Sequence, residues 1–213
     1  MSEPVAETPN LSDSIGSFAE LVAAGTPTPG GGSVAAYCGV LAASLGQMMC
    51  NITIGKPKYA TAESRLKEIT DQLERLSGRL RDLIADDAAS FDAVLAAYRL
   101  PKETDDEKTK RTEQIQIAMQ GAVDVPFETA RRSFEVLKLL GELAGIGTPS
   151  ALSDVAVGAQ LALVAIRGAS YNVSVNLDSL SDHDLAEKTR AEVGAIVHQG
   201  STIANEVSRN LKT

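Results

Sequence analysis

Between Leu21 and Gly55 the chain carries no charged side chain. A stretch of that kind must be buried by something, and Ser33 to Cys50 just reaches the length that spans a bilayer. Its content argues otherwise. It is mostly Ala, Gly and Ser, holds Gln47, and opens on a polar glycine loop, whereas membrane insertion rewards Leu, Ile and Phe. The expectation is a core helix wrapped by others, with no membrane as partner. A second segment, 155–177, has Arg167 as its single charge and small residues at Gly158, Ala162 and Ala169. In the first, Ala35, Gly39 and Ala43 recur at i+4, a stripe that lets another helix backbone come close, within the chain or from a second copy. Aromatics are 4% of 213 residues, Trp is absent and much of the apolar bulk is Ala, Leu and Val, which suits packed helices better than sheets. The fold class expected is all-α, a helical bundle with two central Ala/Gly-rich helices, in one domain over 1–213 behind a polar leader at 1–10.

The surrounding helices read as amphipathic. Leu11, Ile15, Phe18 and Val22 share a face, with Asn10 or Ser12 as caps, and this helix must stop by Gly25. Over Thr61–Tyr98, Leu66, Ile69, Leu73, Leu76, Leu80 and Leu83 alternate spacings of three and four, a heptad seam. Its next position is Asp87, a carboxylate where a leucine is called for, before Phe91, Val94 and Tyr98 resume apolar packing. Pro101 breaks the helix, and Thr104 to Glu107 reads as a capping box opening another to about Ala122. Pro126 then fits the first turn of a further helix with seam Phe127, Ala130, Phe134 and Leu137. Gly145, Gly147 and Pro149 mark a loop, Ser153 caps the second uncharged helix, and Leu185, Val193, Val197, Ile203 and Val207 share a face of the last.

Lys plus Arg number 20 against 28 Asp plus Glu, a net charge of −8. No basic cluster can form the face that nucleic acid needs. Cys38 and Cys50 on one helix would stand ~18 Å apart, beyond a disulfide. His183 and His198 join them at no zinc spacing, so no metal site is expected. No apolar signal segment opens the sequence. The setting expected is a reducing cytoplasm.

Chemistry has few places to sit. The loop Pro27–Ser33, with Pro29, Gly30, Gly31, Gly32 and Ser33, leaves backbone N–H groups open at a helix N-terminus, which suits an anion or an electron-rich ring as well as it suits a packing turn. It lacks the Lys-Ser/Thr of a phosphate-binding loop. A desolvated Asp87 would titrate above an ordinary carboxylate, and Arg167 is its candidate partner. Lys56 and Lys58 follow Asn51 at the end of the first uncharged helix, either as dipole-compensating cations or as a carboxylate-binding rim. Asp154 opens the second such helix, on which Asn172 and Asn176 lie one turn apart and can face one cavity. Two scattered histidines support no Ser-His-Asp or Cys-His arrangement, so catalysis would rest on carboxylates, lysines and amides.

At Pro27-Thr28-Pro29-Gly30-Gly31-Gly32-Ser33-Val34-Ala35-Ala36 the sequence resembles the cyclodeaminase/cyclohydrolase family of folate enzymes. The likeness continues in order through Asn51–Tyr59, Asp86–Phe91, Leu100–Thr104, Ser153-Asp154 and Tyr171–Asn176, over nearly the whole chain. Thr148 and Ser150 stand where relatives usually have asparagines. The resemblance implies an all-helical homodimer acting on a tetrahydrofolate derivative, with or without polyglutamylation, as substrate, and no separate cofactor. It favours hydrolysis of 5,10-methenyltetrahydrofolate to 10-formyltetrahydrofolate, because no formiminotransferase domain is present. The rivals are a formimidoyltetrahydrofolate cyclodeaminase releasing ammonia and a helical folate carrier or scaffold without turnover. On this reading Asp87 is base or cation stabiliser and Asp154 the second carboxylate. Asn51, Arg167, Asn172, Asn176 and the glycine loop meet the substrate, while Lys56 and Lys58 meet its glutamate tail.

Overall fold

The computed structural model describes residues 15–211. The polar leader, the caps Asn10 and Ser12, and Leu11 lie outside them. Six α-helices follow in order: α1 (Ile15–Ala23), α2 (Gly31–Thr53), α3 (Glu63–Tyr98), α4 (Asp105–Ile146), α5 (Leu152–Leu177) and α6 (His183–Asn210). No strand occurs among the described residues. Gly25 at φ 76° follows α1 and Gly55 at φ 82° follows α2, a conformation glycine adopts without penalty. The box at the start of α4 forms in both directions: Glu107 N–H donates to Thr104 Oγ1 at 3.2 Å and Thr104 N–H to Glu107 Oε2 at 3.0 Å.

α2, which has no charge, and α5, which carries only Asp154 and Arg167, lie side by side at the centre, each contributing buried residues along its length. Both are long and apolar enough to cross a membrane, and in the fold about half of each is buried against other helices. The stripe Ala35, Gly39, Ala43 is buried within the chain. A Cβ on Gly39 would stand 2.8 Å from Ser133 Oγ and 3.1 Å from Leu80, and one on Gly46 2.7 Å from Leu73. The stripe therefore serves packing on α3 and α4, and the face it occupies is not available to a second copy. The seam of α3 is buried at Leu66, Ile69, Leu73, Leu80 and Leu83, with Leu76 half-buried against the same core.

Three local expectations are corrected. α4 does not end near Ala122; it runs through Pro126 to Ile146. A proline inside a helix leaves the carbonyl four residues earlier without its N–H donor, and here that carbonyl, Ala122 O, accepts from the Asn176 side chain at 2.6 Å. Ser153 does not cap α5, because a 3-10 turn over Pro149–Ala151 starts the helix at Leu152. Phe91 and Tyr98 do not resume core packing; they are exposed.

Candidate functional site

α2 and α5 run antiparallel, so the N-terminus of α2 meets the C-terminal turns of α5. Asp87 comes from α3 and Met119 and Ala122 from α4. Together they enclose a cavity of about 340 Å3 whose wall includes Gly30, Gly31, Gly32, Asp87, Asn172 and Asn176, within the size range of small-molecule sites. The glycine turn is required at one position above all. A Cβ on Gly32 would lie 2.6 Å from Asp87 Cγ and 2.8 Å from its Oδ2, so only glycine lets the carboxylate close on the helix end. Gly31 faces open space, with Asn172 Nδ2 3.9 Å from its virtual Cβ. Pro29 is buried behind the loop rather than lining the cavity, and the Thr28–Pro29 peptide is cis.

The N-terminus of α2 already holds a carboxyl group, that of Asp87. Ser33 Oγ donates to Asp87 Oδ2 at 2.8 Å, and the Ser33 backbone N–H donates to the same carboxylate. Ser33 therefore acts on Asp87, not directly on a ligand. Burial pushes the Asp87 carboxyl above the ordinary carboxylate range, and the two Ser33 donors offset only part of that. Asp86 points the other way, bonded at 2.9 Å to Arg79, which also forks onto Glu128.

The two asparagines are held by backbone carbonyls. Asn172 Nδ2 donates to Gly168 O at 2.9 Å and Asn176 Nδ2 to Ala122 O at 2.6 Å, which directs each Oδ1 away from those carbonyls. Two side-chain amides and a carboxylate thus border one cavity, with Phe91, Val94 and Met119 as its apolar wall. Sequence reasoning missed this wall, although Phe91 and Val94 follow Asp87 at i+4 and i+7 and so share its face.

Other expected site residues lie elsewhere. Arg167 does not pair with Asp87; it is exposed and donates to Ser201 on α6 at 3.1 Å. Asn51, Lys56 and Lys58 sit at the far end of α2, ~30 Å from Gly31 at the helical rise. Asp154 is in the first turn of α5, ~27 Å from Asn172. Lys58 lies over the Tyr59 ring at 5.4 Å, and Thr148 Oγ1 and Ser150 Oγ bond each other at 3.1 Å near Asp154. Within one chain, these residues and the cavity are at opposite ends. No cluster of three His, Cys, Asp or Glu side chains able to hold a metal occurs among the described residues.

An all-helical bundle whose sheltered carboxylate and two asparagine side chains border one cavity over a glycine turn is the class of protein that the fold and the site define. The chain belongs to the formiminotransferase-cyclodeaminase family, whose pattern residues 14–195 match. A methenyltetrahydrofolate cyclohydrolase of Methylorubrum extorquens is 38% identical over 201 residues, 94% of this chain and 97% of that protein. The formimidoyltransferase-cyclodeaminase of Rattus norvegicus is 34% identical over 95% of this chain, which spans only 37% of that longer protein. The crystal structure of formiminotetrahydrofolate cyclodeaminase from Thermotoga maritima superposes with a TM-score of 0.77 at 27% identity, covering 93% of each chain.

Proposed function

We propose that this chain is a methenyltetrahydrofolate cyclohydrolase, adding water to 5,10-methenyltetrahydrofolate and releasing 10-formyltetrahydrofolate. The observation that carries the reading is Asp87, a carboxylate of raised pKa on the wall of a cavity that otherwise offers amide acceptors. The methenyl carbon sits between N5 and N10 in an amidinium-like cation, and a carboxylate beside it opposes that charge. Water attacks the carbon while Asp87 takes its proton; the C–N5 bond then breaks, N5 regains a proton, and the formyl group stays on N10. A base whose pKa lies nearer the working pH is better matched to such a step, and a placed acid–base group typically contributes ~100- to 10,000-fold. Asn172 and Asn176, with their amide nitrogens already engaged, offer oxygens to the N–H and amino donors of a pterin. Gly31 leaves room for the ring.

Supporting the choice of reaction is the Methylorubrum extorquens relative, 38% identical over 94% of this chain and 97% of its own length. Against it stands the cyclodeaminase reading, favoured by the likeness to the Thermotoga maritima structure. Loss of the methenyl absorbance above the uncatalysed rate, on purified protein, tests the first; ammonia release from 5-formimidoyltetrahydrofolate without methenyl hydrolysis would select the second. Folate binding with neither reaction would leave a carrier. We further read the protein as a cytoplasmic homodimer that uses no separate cofactor and accepts polyglutamylated substrate.

A further inference from the structure

Hydrolysis of an amidinium cation moves more than one proton. Addition of water to the methenyl carbon releases a proton, cleavage of the C–N5 bond needs one on N5, and closure of the formyl C=O releases another. The cavity holds few groups that could serve. Among the described residues, Asp87 is the only titratable side chain on its wall. α2 carries no charge, and its Tyr37 packs on Phe18 of α1. Asp86 on α3 and Glu128 on α4 are both paired with Arg79, and Asp124 accepts from Gln120. On α5, Arg167 is turned to Ser201 and Asp178 follows the helix, paired with Arg190. Ser90, which also borders the cavity, has its hydroxyl committed to Asp87 O at 2.9 Å, and the asparagine amides do not titrate near neutrality.

The Ser33 hydroxyl, fully buried, stands between two acceptors. One is Asp87 Oδ2 at 2.8 Å; the other is the Ile84 backbone carbonyl, one turn earlier on α3, at 3.2 Å. A hydroxyl has one hydrogen to give and two lone pairs to accept with. With Asp87 ionised, that hydrogen lies on Oδ2. With a proton on Oδ2, the hydrogen turns to Ile84 O and the Ser33 oxygen accepts from the carboxyl. Both forms are satisfied without a change of side-chain rotamer, and the Ser33 backbone N–H bonds the carboxyl as well. A carboxyl fixed only in its ionised form would leave a buried partner unmatched once it took a proton.

We propose that Asp87 serves twice in each turnover, as base toward water and as acid toward N5, and that Ser33 is the positioning residue that keeps its carboxyl in place between the two. This inference rests on the folate reading. The water oxygen bonds the methenyl carbon while one of its protons passes to Asp87. As the C–N5 bond breaks, its electron pair stays on N5 and takes that proton from Asp87. The carbinol hydroxyl then gives its own proton to the ionised carboxylate as the C=O bond forms, and this proton leaves to solvent. The reacting cation and one water become a neutral formylated amine and one free proton, so charge balances, and Asp87 ends ionised, ready for the next cycle. No second acid is needed.

The test is kcat of the wild-type protein between about pH 5 and 9, with the uncatalysed rate subtracted. A single group that must begin each turnover ionised gives one limb: kcat rises as Asp87 loses its proton and stays level above. A bell, with a fall on the alkaline side, reports a separate acid and overturns the double role. Ser33→Ala removes a donor to the carboxylate, so Asp87 holds its proton more tightly and the limb moves to higher pH. On the plateau kcat should fall ~10- to 100-fold, the scale of a hydrogen bond to a charged group. Ser33→Cys, close in shape but a weaker donor, should move the limb the same way by less. Variants that melt earlier while the limb stays where it was make Ser33 a packing residue and overturn its part. The same profiles can be read on ammonia release from 5-formimidoyltetrahydrofolate, where ring closure frees a proton from N10 and the departing ammonia takes one. A wild-type protein that turns over neither substrate refutes the folate reading. A bell-shaped profile in a protein that does turn over leaves that reading standing and refutes this one.

Discussion

Gly32→Ala tests whether the helix end and the carboxylate are built for each other. Carbon atoms in contact prefer separations of about 3.5–4.0 Å, and the added methyl would stand 2.6 Å from Asp87 Cγ. The carboxylate must retreat by about 1 Å. The backbone of α3 cannot take up that movement, because Leu80, Leu83 and Ile84 beneath it are fully buried. The side chain must therefore swing away from Ser33. Overpacking of this kind costs about 1–3 kcal/mol, offset by up to about 1 kcal/mol from replacing a helical glycine with alanine. A net loss of ~1–2 kcal/mol lowers Tm by several degrees in a chain of this size. Turnover should fall further, by ~100-fold, since a 1 Å misplacement of a reacting group has that effect. Calorimetry and methenyl hydrolysis on one preparation measure both. Gly31→Ala is the control: its methyl meets nothing nearer than 3.9 Å, so stability and turnover stay within a few-fold of wild type. In an Asp87→Ala background the clash is gone and Gly32→Ala should become stabilising. Wild-type turnover in Gly32→Ala, or destabilisation that persists without Asp87, would refute the argument.

Asp87→Asn should raise stability at pH 7 while lowering turnover by ~100-fold or more. Because burial raises the folded-state pKa, the aspartate weakens the fold as pH climbs above the ordinary value near ~4. The gain in Tm should thus vanish at low pH, grow as pH rises, and level off above the raised pKa; a pH-independent difference would contradict the assigned cause. Pro126→Ala restores a donor to Ala122 O and should loosen Asn176, raising KM several-fold in a protein at least as helical; an unchanged KM would show that the freed carbonyl is incidental. Gly31→Val should weaken binding of 5-formyltetrahydrofolate, a stable reduced folate, with little change in circular dichroism, and full affinity would make the loop a packing turn.

Much of this was legible in periodicity. A carboxylate at a leucine position marked Asp87, and the Pro-Gly run marked the turn that meets it. What was not legible depended on distance along a helix. Asn51 shares α2 with Gly31, Lys56 follows that helix and Asp154 shares α5 with Asn172, and one-dimensional neighbourhood cannot say that about twenty residues of helix hold them ~30 Å apart. Pro126 was misread because a proline suits a first turn and an interior alike when tertiary contacts support the latter. Its signal was there in reverse: a proline kept inside a helix implies an orphan carbonyl at Ala122, and hence a side-chain donor somewhere, which proved to be Asn176. Arg167 failed as a partner because being the single cation on a helix says nothing about which way it faces.

The α3–α4 hairpin reaches well past the cavity. α3 continues ~16 Å beyond Asp87 to Tyr98, and α4 begins ~25 Å before Ala122. Gln116 ties it to the turn before α6, accepting from Ser181 N–H and donating to Ser179 O. Amides near Leu100 should exchange with solvent through small local openings, and those near Leu80 only through global unfolding.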